Sequence, residues 1–171
     1  MSDGLHKLNR LSEDEAGREF LKCCGSGRWA AQLARRRPFD TTDELLETAD
    51  RLWWELDARD WLEAFSSHPK IGERKAAGPG PAKAQAWSAE EQSGTRAASR
   101  ETMSELMEGN RAYEAKFGYI FIVCATGKST EEMLALLKER LPNDTETELR
   151  IAAAEQAKIT RLRLMRLLSE L

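Results

Sequence analysis

The chain is poor in the residues that build disulfide frameworks and metal sites. Its 171 residues include three cysteines and two histidines. Because Cys23 and Cys24 are adjacent and Cys124 makes the count odd, the cysteines favour reduced thiols over a set of disulfides. The sequence has no Cys-x-x-Cys, His-Glu-x-x-His or paired-histidine spacing, which excludes the common zinc motifs, and it has no Walker or Rossmann glycine loop. We therefore expect a chain that works without a metal ion or nucleotide cofactor.

Segregated charge and long apolar runs are also missing. The 26 basic and 29 acidic residues are interleaved and leave a net charge of −3, so no basic face predicts nucleic-acid binding. No apolar run reaches the ~20 residues of a membrane-spanning helix, and no leader-like segment opens the sequence. The last three residues resemble a peroxisomal signal only in part, since Glu170 occupies the usually basic position. We expect a cytoplasmic protein without nucleic-acid or membrane partners.

Signals for β-structure are scarce, whereas signals for helices recur along the chain. With 41% hydrophobic and 32% charged residues, the chain suits one globular domain over residues 1–171. Capping residues followed by apolar residues at helical spacing predict an all-α, multi-helix bundle. One of these helices is expected to run from Ser88 to about Lys116. The predicted caps and helix starts are Ser12, Thr41, Ser88, Ser129 and Thr145.

One run departs from the helical pattern. Residues 119–125 are aromatic, β-branched or small and follow Gly118, which is typical of a strand. No second run is available to pair with it, so we expect a short extended, irregular or short-helical apolar segment buried across the helices. Its main-chain N–H and C=O groups then need partners other than a sheet, and a bound ligand is one candidate.

A stretch rich in Ala, Gly and Pro precedes the long predicted helix. Residues 76–82 predict a surface loop, which is either a lid or a simple connector. Directly after it, the spacing of Ser88 and Glu91 matches a helix-capping box. That pattern gives Glu91 a structural interpretation, which has to be weighed against any catalytic role.

The candidate for chemistry is His68, which directly precedes Pro69. Proline restricts the residue before it to extended geometry, so a helix arriving from Asp57 should end at His68 and present the imidazole at a chain break. Imidazole titrates near neutral pH and can both donate and accept a proton. The alternative interpretation is an ordinary helix stop with a structural histidine.

The last predicted helix carries apolar residues around most of its circumference, which suggests burial or a dimer contact. Arg163 is four residues from both Ile159 and Leu167 and therefore lies among apolar neighbours, and Arg166 is nearly as well placed. A half-buried arginine needs an anion, either a neighbouring carboxylate or the carboxylate of a substrate. Periodicity does not choose between the two arginines.

Several separated blocks resemble one family, the decarboxylases of 2-oxo-4-hydroxy-4-carboxy-5-ureidoimidazoline (OHCU), which complete the conversion of urate to (S)-allantoin. Together the blocks span nearly the whole chain in the order expected for that family. They are Phe20–Ser26 with Trp29, His68–Glu73, Ser88–Gln92, Lys116–Ala125, and Lys158–Leu164 with Glu155.

The resemblance implies an all-helical, often dimeric enzyme that decarboxylates OHCU and needs neither a metal nor an organic cofactor. It implies catalytic roles for His68 and Glu91. Acid–base chemistry on a different ureide and a non-enzymatic helical interaction module are the alternatives. The substrate-binding residues that it implies are Pro69, Ser88, Gln92, Ile120, Phe121, Ile122, Val123, Cys124 and Arg163.

Overall fold

The computed structural model describes residues 3–72 and 81–171, and for Arg96 and Ala97 the backbone alone. Within these ranges the chain forms nine α-helices, one short 3₁₀ helix at Ser93–Ala97 and no β-strand. The all-α prediction is therefore confirmed. In chain order the α-helices are α1 (Asp3–Arg10), α2 (Glu13–Cys24), α3 (Gly27–Arg35), α4 (Thr42–Trp54), α5 (Ala58–Ser66), α6 (Ala82–Glu91), α7 (Arg100–Phe117), α8 (Thr130–Arg140) and α9 (Thr145–Glu170).

Most helix ends lie where local capping chemistry predicts them. Ser12 forms a complete capping box with Glu15 at the start of α2, and Ser129 forms one with Glu132 at the start of α8. In each box the serine hydroxyl accepts from a backbone N–H and the glutamate accepts from the serine N–H, so two exposed donors are satisfied. Gly25 ends α2 with a φ of 82°, a left-handed conformation that glycine adopts without strain.

Ser88 does not cap a helix, and the predicted helix from Ser88 to Lys116 is wrong. Helix α6 already begins at Ala82 after Pro81, and the Ser88 hydroxyl donates to the Ala84 carbonyl 3.0 Å away, inside the same helix. The alternating alanines upstream of Ser88 favour helix and extend it backwards. A 3₁₀ helix then interrupts the chain before Ser99 caps α7.

The end of the predicted loop differs from the prediction. Its last residue, Ala82, is helical rather than irregular, and residues 76–80 lie outside the described part of the chain. Whether the loop is a lid or a connector stays a prediction. No helix among residues 3–72 and 81–171 is long and apolar enough to span a membrane.

The helices fall into two compact units, and the first comprises residues 1–64 and 157–171. Helices α2 and α3 pack together in its core, where the rings of Phe20 and Trp29 meet edge to face at 6.2 Å. The Trp29 indole N–H donates to the Ala49 carbonyl at 2.9 Å, and the Trp61 indole N–H donates to the Trp53 carbonyl at 3.0 Å. These tryptophans therefore belong to the core of this unit.

The second unit comprises residues 65–156. Its aromatic core is built around Tyr113, whose ring packs against the rings of Phe117, Tyr119 and Phe121. Residues 119–125 run through this core without helical or strand structure, and Phe121 to Ala125 are buried. The prediction of a buried irregular segment is confirmed, and the short-helical alternative is wrong. A single domain over residues 1–171 stays a prediction.

Candidate active site

His68 lies at the chain break that the following proline predicts. Helix α5 ends at Ser66, and the His68 N–H closes a last turn on the Phe65 carbonyl at 3.2 Å. The side chains of His68 and Pro69 are both half-buried. The imidazole is therefore part of neither a helix interior nor a fully solvated loop, a setting that suits a group that exchanges protons with a ligand.

The imidazole has a partner that the sequence does not reveal. His68 Nε2 lies 2.7 Å from Oε1 of Gln156, and Gln156 is completely buried in α9. Gln156 lies within the C-terminal block between Glu155 and Lys158, but glutamine in a helix carries no recognisable catalytic pattern. The one sequence feature that could have pointed to Gln156 as a site residue is its position within that block.

Side chains satisfy part of the main chain of residues 119–125. The Arg140 guanidinium donates to the Ile122 carbonyl at 2.8 Å, and the Lys128 ammonium donates to the Cys124 carbonyl at 2.8 Å. The Glu155 carboxylate accepts from the Cys124 N–H at 2.7 Å. These contacts supply the partners other than a sheet that the irregular segment was predicted to need.

At three positions of the segment, unlike at Ile122 and Cys124, the main chain has no hydrogen-bond partner among the described residues. The main-chain groups of Ile120, Phe121 and Val123 form no hydrogen bond with any part of the chain that the structure describes. Since buried main-chain groups in native proteins are nearly always hydrogen-bonded to protein or water, these positions offer donors and acceptors to a ligand or to solvent. The predicted substrate contacts at these residues remain a proposal.

A buried ion pair between Arg140 and Glu148 lies next to residues 119–125. The Glu148 carboxylate is fully buried and accepts from Arg140 Nη2 at 2.5 Å and from Asn143 at 3.0 Å, and it also accepts from the Tyr113 hydroxyl. Arg140 is stacked over the Phe121 ring at 4.6 Å. Burial, together with the bond to Glu148, raises the pKa of Tyr113 and keeps the phenol neutral. The pair therefore fixes both the side chains and the main chain of this region.

Gln92 connects α6 to the His68 stretch. Its side-chain oxygen accepts from the Gly72 N–H at 3.2 Å. Gly72 has a φ of +83°, and an added Cβ would lie 2.8 Å from the terminal methyl of Met103, so a residue with a side chain would be strained here. In the described structure Gln92 therefore holds the backbone that follows His68 and Pro69.

Glu91 is the last residue of α6 and is half-buried. Because Ser88 does not start a helix, the capping-box explanation for Glu91 is wrong. Burial raises the pKa of the Cys124 thiol, and the carboxylates of Glu155 and Glu91 act in the same direction while Lys128 opposes them. Glu91 is thus near enough to the irregular segment to influence it electrostatically.

The 3₁₀ helix after Gln92 is pressed against the loop that follows the irregular segment. An added Cβ on Gly94 would lie 2.2 Å from the Lys128 carbonyl oxygen, so the two backbones are in close contact. The Thr130 hydroxyl donates to the Gly94 carbonyl at 3.5 Å. This contact ties the chain just beyond Glu91 and Gln92 to the end of the irregular segment.

The two arginines that periodicity does not separate differ clearly in the structure. Arg163 is 3% exposed, and its guanidinium lies 3.5 Å from the Lys22 carbonyl. Arg166 is bound to Glu170 of the same helix at 2.7 Å. Of the two arginines, Arg163 is therefore the buried one, whereas the Arg166 side chain is 33% exposed. Arg163 belongs to the first unit. That it binds the same substrate as the site residues of the second unit stays a prediction.

The second unit thus brings several predicted site residues into one set of contacts. Gln156 binds His68, and Gln92 binds Gly72. Glu155, which directly precedes Gln156 in α9, binds Cys124. The hydroxyl of Ser88 donates within α6 and the residue is buried, and its role in substrate binding stays a prediction.

A family model described as OHCU decarboxylase matches residues 9–165. The chain belongs to the OHCU decarboxylase family. It is 41% identical over 153 residues to the uric acid degradation bifunctional protein TTL of Arabidopsis thaliana. The aligned region covers 89% of this chain but 47% of that protein. The chain therefore spans about half the length of that relative. It is also 30% identical to the OHCU decarboxylase of Haloferax volcanii, over 94% of this chain and 93% of the relative.

Solved structures of OHCU decarboxylase and (S)-allantoin synthase share the fold. A crystal structure described as OHCU decarboxylase in the presence of (S)-allantoin superposes with a TM-score of 0.77 at 42% identity, over 89% of this chain and 98% of that one. A crystal structure of (S)-allantoin synthase superposes with a TM-score of 0.73, over 95% of this chain and 53% of that one. At 17% identity, the second match supports the fold alone.

Proposed function

We propose that the chain decarboxylates OHCU to (S)-allantoin in uric acid degradation, and that it does so without a metal or organic cofactor. The observation that carries the proposal is the family match over residues 9–165. The proposal is further supported by a half-buried histidine that is held by Gln156, and by the bond of the neighbouring Glu155 to an irregular segment with main-chain groups available. This arrangement suits recognition and protonation of a small polar ring.

The substrate carries its own electron sink. Its scissile carboxylate is attached to a tetrahedral ring carbon that also bears the ureido group. When the bond between that carbon and the carboxylate breaks, carbon dioxide leaves and the electron pair is delocalised into the adjacent ring carbonyl as an enolate. A proton must then be delivered to the same carbon. The enzyme therefore has to orient the ring, stabilise the developing charge and supply the proton to one face.

We assign the proton delivery to His68. Loss of an N–H proton from the imidazolium to the ring carbon forms the new C–H bond and leaves a neutral imidazole, which regains a proton from solvent. Delivery to one face explains how a single enantiomer would form. Glu91 is proposed to stabilise the charged imidazole. The competing structural explanation, a capping box with Ser88, does not apply because Ser88 lies inside α6.

The remaining proposed roles concern recognition. Arg163 would bind a carboxylate or ring oxygens with its two-pronged guanidinium, and Gln92 and the main chain of residues 120–124 would bind the polar edges of the ring. Pro69 would contact the ring next to His68. The support for Arg163 is its position in the C-terminal block of the family match over residues 9–165.

The proposal is tested by replacing each of the two histidines in turn. The His68→Asn variant is expected to fold normally and to lose the enzymatic rate of (S)-allantoin formation, by about the 10²–10⁴-fold typical of a general acid. The His6→Asn variant is the matched control, because His6 is exposed on α1. Freshly generated OHCU is supplied, and the chirality of allantoin is followed by circular dichroism.

Two outcomes would contradict the proposal. Full retention of (S)-allantoin formation in His68→Asn would remove His68 from the mechanism. A wild-type protein that does not accelerate the reaction of OHCU would contradict the substrate, and would favour acid–base chemistry on a different ureide. In the same assay, unchanged turnover in a stable Glu91→Gln variant would remove Glu91 from catalysis.

We further propose that the protein acts as a homodimer in the cytoplasm. Leu162 and Met165 of α9 are 45% and 48% exposed, which leaves apolar surface available for a second copy. Cys23, Cys24 and Cys124 are buried thiols, as expected in a reducing compartment. The mass of the protein in solution tests the dimer.

A further inference from the structure

The contact between His68 and Gln156 joins a half-buried imidazole to a fully buried amide in the second unit. We propose that Gln156 is a positioning residue that keeps a proton on Nε2 of His68 and fixes the plane of the ring. This inference rests on the proposed decarboxylase function. It adds a residue to the site that neither the sequence motifs nor the family resemblance supplies.

The direction of the hydrogen bond follows from the chemistry of the two atoms. Oε1 of Gln156 is a carbonyl oxygen and can only accept, so His68 Nε2, 2.7 Å away, has to donate. In the neutral imidazole the two ring nitrogens share one proton, and the nitrogen that donates leaves the other deprotonated. With Nε2 held as the donor, Nδ1 becomes the nitrogen that gains and loses the catalytic proton.

Burial makes this orientation costly to change. Gln156 is 0% exposed, and a buried amide that loses its partner leaves a polar group without compensation. Gln156 also follows directly after Glu155, whose carboxylate accepts from the Cys124 N–H at 2.7 Å. Consecutive residues of one helix therefore hold the proposed proton donor and the proposed substrate-binding segment. Helix α9 sets the position of one with respect to the other.

A neutral acceptor suits a site that has to receive an anion. In many enzymes a carboxylate orients the catalytic histidine and stabilises its charged form. Here the substrate itself brings a carboxylate and Glu91 is already proposed to stabilise the charged imidazole, so a second carboxylate behind the histidine would add to the repulsion of the substrate. An amide fixes the ring and its tautomer without adding charge.

A purely structural role for Gln156 would predict a loss of stability alone. The test therefore reads the protonation state of the ring directly. A His6→Gln background leaves His68 as the only histidine, so the ¹⁵N and ¹H shifts of a single imidazole report which nitrogen carries the proton. Gln156→Met removes the acceptor at similar size, whereas Gln156→Glu keeps an oxygen acceptor at the same reach. Gln32→Met makes the same chemical change on α3, in the first unit, and serves as the control.

Four results are expected if Gln156 positions His68. Nε2 carries a proton in the parent protein, and in Gln156→Met this preference is lost. The value of kcat in Gln156→Met falls by about 10²-fold, the lower end of the range for general acid–base catalysis, while KM changes little. Gln156→Glu retains the Nε2 proton and recovers at least part of the lost kcat. Gln32→Met retains both the tautomer and the activity.

The inference is overturned by a deprotonated Nε2 in the parent protein, a measurement that needs no variant at Gln156. It is also overturned by a folded Gln156→Met protein with unchanged kcat. If Gln156→Met does not fold, Gln156→Glu decides the matter, since loss of the Nε2 proton there contradicts the proposal. A parent protein inactive on OHCU would refute the proposed function instead, and an active parent with an unaffected Gln156→Met variant would refute only the role of Gln156.

Discussion

Two ion pairs that involve α8 have nearly the same length but very different surroundings. Arg140 and Glu148 are 2.5 Å apart with side chains that are 7% and 0% exposed, whereas Lys138 and Glu105 are 2.6 Å apart with side chains that are 60% and 53% exposed. Replacing each cation by alanine therefore separates the effect of burial from the effect of distance. We expect Arg140→Ala to destabilise the protein much more than Lys138→Ala.

The expected magnitudes follow from what each replacement leaves behind. Removing one partner of a buried pair typically costs 3–5 kcal/mol, because the other charge stays buried without compensation, and the value here should be about 3 kcal/mol. The lower end applies because Tyr113 and Asn143 still donate to Glu148. The carbonyl of Ile122 loses its donor as well. Loss of the exposed Lys138 pair should cost about 0–1 kcal/mol.

Urea denaturation of the two variants and the parent protein measures the difference. Against a typical stability of about 5–15 kcal/mol for a whole domain, a loss of about 3 kcal/mol moves the midpoint clearly, whereas the Lys138→Ala midpoint should stay close to the parent value. Arg140→Ala should also weaken OHCU turnover, since the Ile122 main chain loses its anchor. Equal destabilisation of the two variants would refute the reasoning that burial, rather than distance, decides the contribution.

Two further predictions concern a close backbone contact and a buried thiol. Gly94→Ala should destabilise the protein by about 1–3 kcal/mol because its Cβ would lie 2.2 Å from the Lys128 carbonyl. Gly17→Ala should instead stabilise α2 by about 0.5–1 kcal/mol, because nothing lies within 4 Å of the added Cβ. Urea midpoints of the two glycine variants that shift in the same direction would contradict these two predictions. Burial raises the pKa of the Cys24 thiol from 9.0 to about 12, so its contribution to stability is complete below pH 9 and is lost between pH 9 and pH 12. Between pH 8 and pH 10 the parent protein should lose about 1.4 kcal/mol more than Cys24→Ala, and parallel losses in urea titrations would contradict this account.

Features governed by neighbouring residues could be predicted from the sequence. The boxes at Ser12 and Ser129, the glycine stop at Gly25 and the helix end before Pro69 each depend on residues within one turn. Their energetics are local, so the pattern determines the structure wherever nothing competes. The family resemblance carried the prediction further, and the family is confirmed over residues 9–165.

Ser88 shows where a local pattern fails. Its spacing to Glu91 matches a capping box, but the same spacing also occurs inside a helix, where the serine hydroxyl bonds back to the carbonyl four residues earlier. The alanines before Ser88 favour a helix that starts sooner, and Ser99 supplies a competing cap for α7. A capping pattern identifies a helix start only when the residues before it resist helix formation.

The partners of the irregular segment show a different limit. The need of its main-chain groups for partners could be predicted from the absence of a second strand, but two of the side chains that bind them, Arg140 and Glu155, are 18 and 31 residues away. Nothing in the local sequence of either residue distinguishes it from the other charged side chains of α8 and α9. Such pairings depend on the packing of helices, which a single sequence does not specify.

These pairings constrain how a substrate can use the segment. The Ile122 carbonyl has two lone pairs, so it can accept a hydrogen bond from a ligand while Arg140 remains bound. The Cys124 N–H has a single proton, and Glu155 already accepts it. A substrate oxygen can use that donor only if the Glu155 carboxylate moves away, and an anionic oxygen would in addition be repelled by it. Contacts to the main chain of Ile120, Phe121 and Val123 have no such competitor among the described residues, so these three positions and the Ile122 carbonyl can bind a substrate without displacing a protein partner.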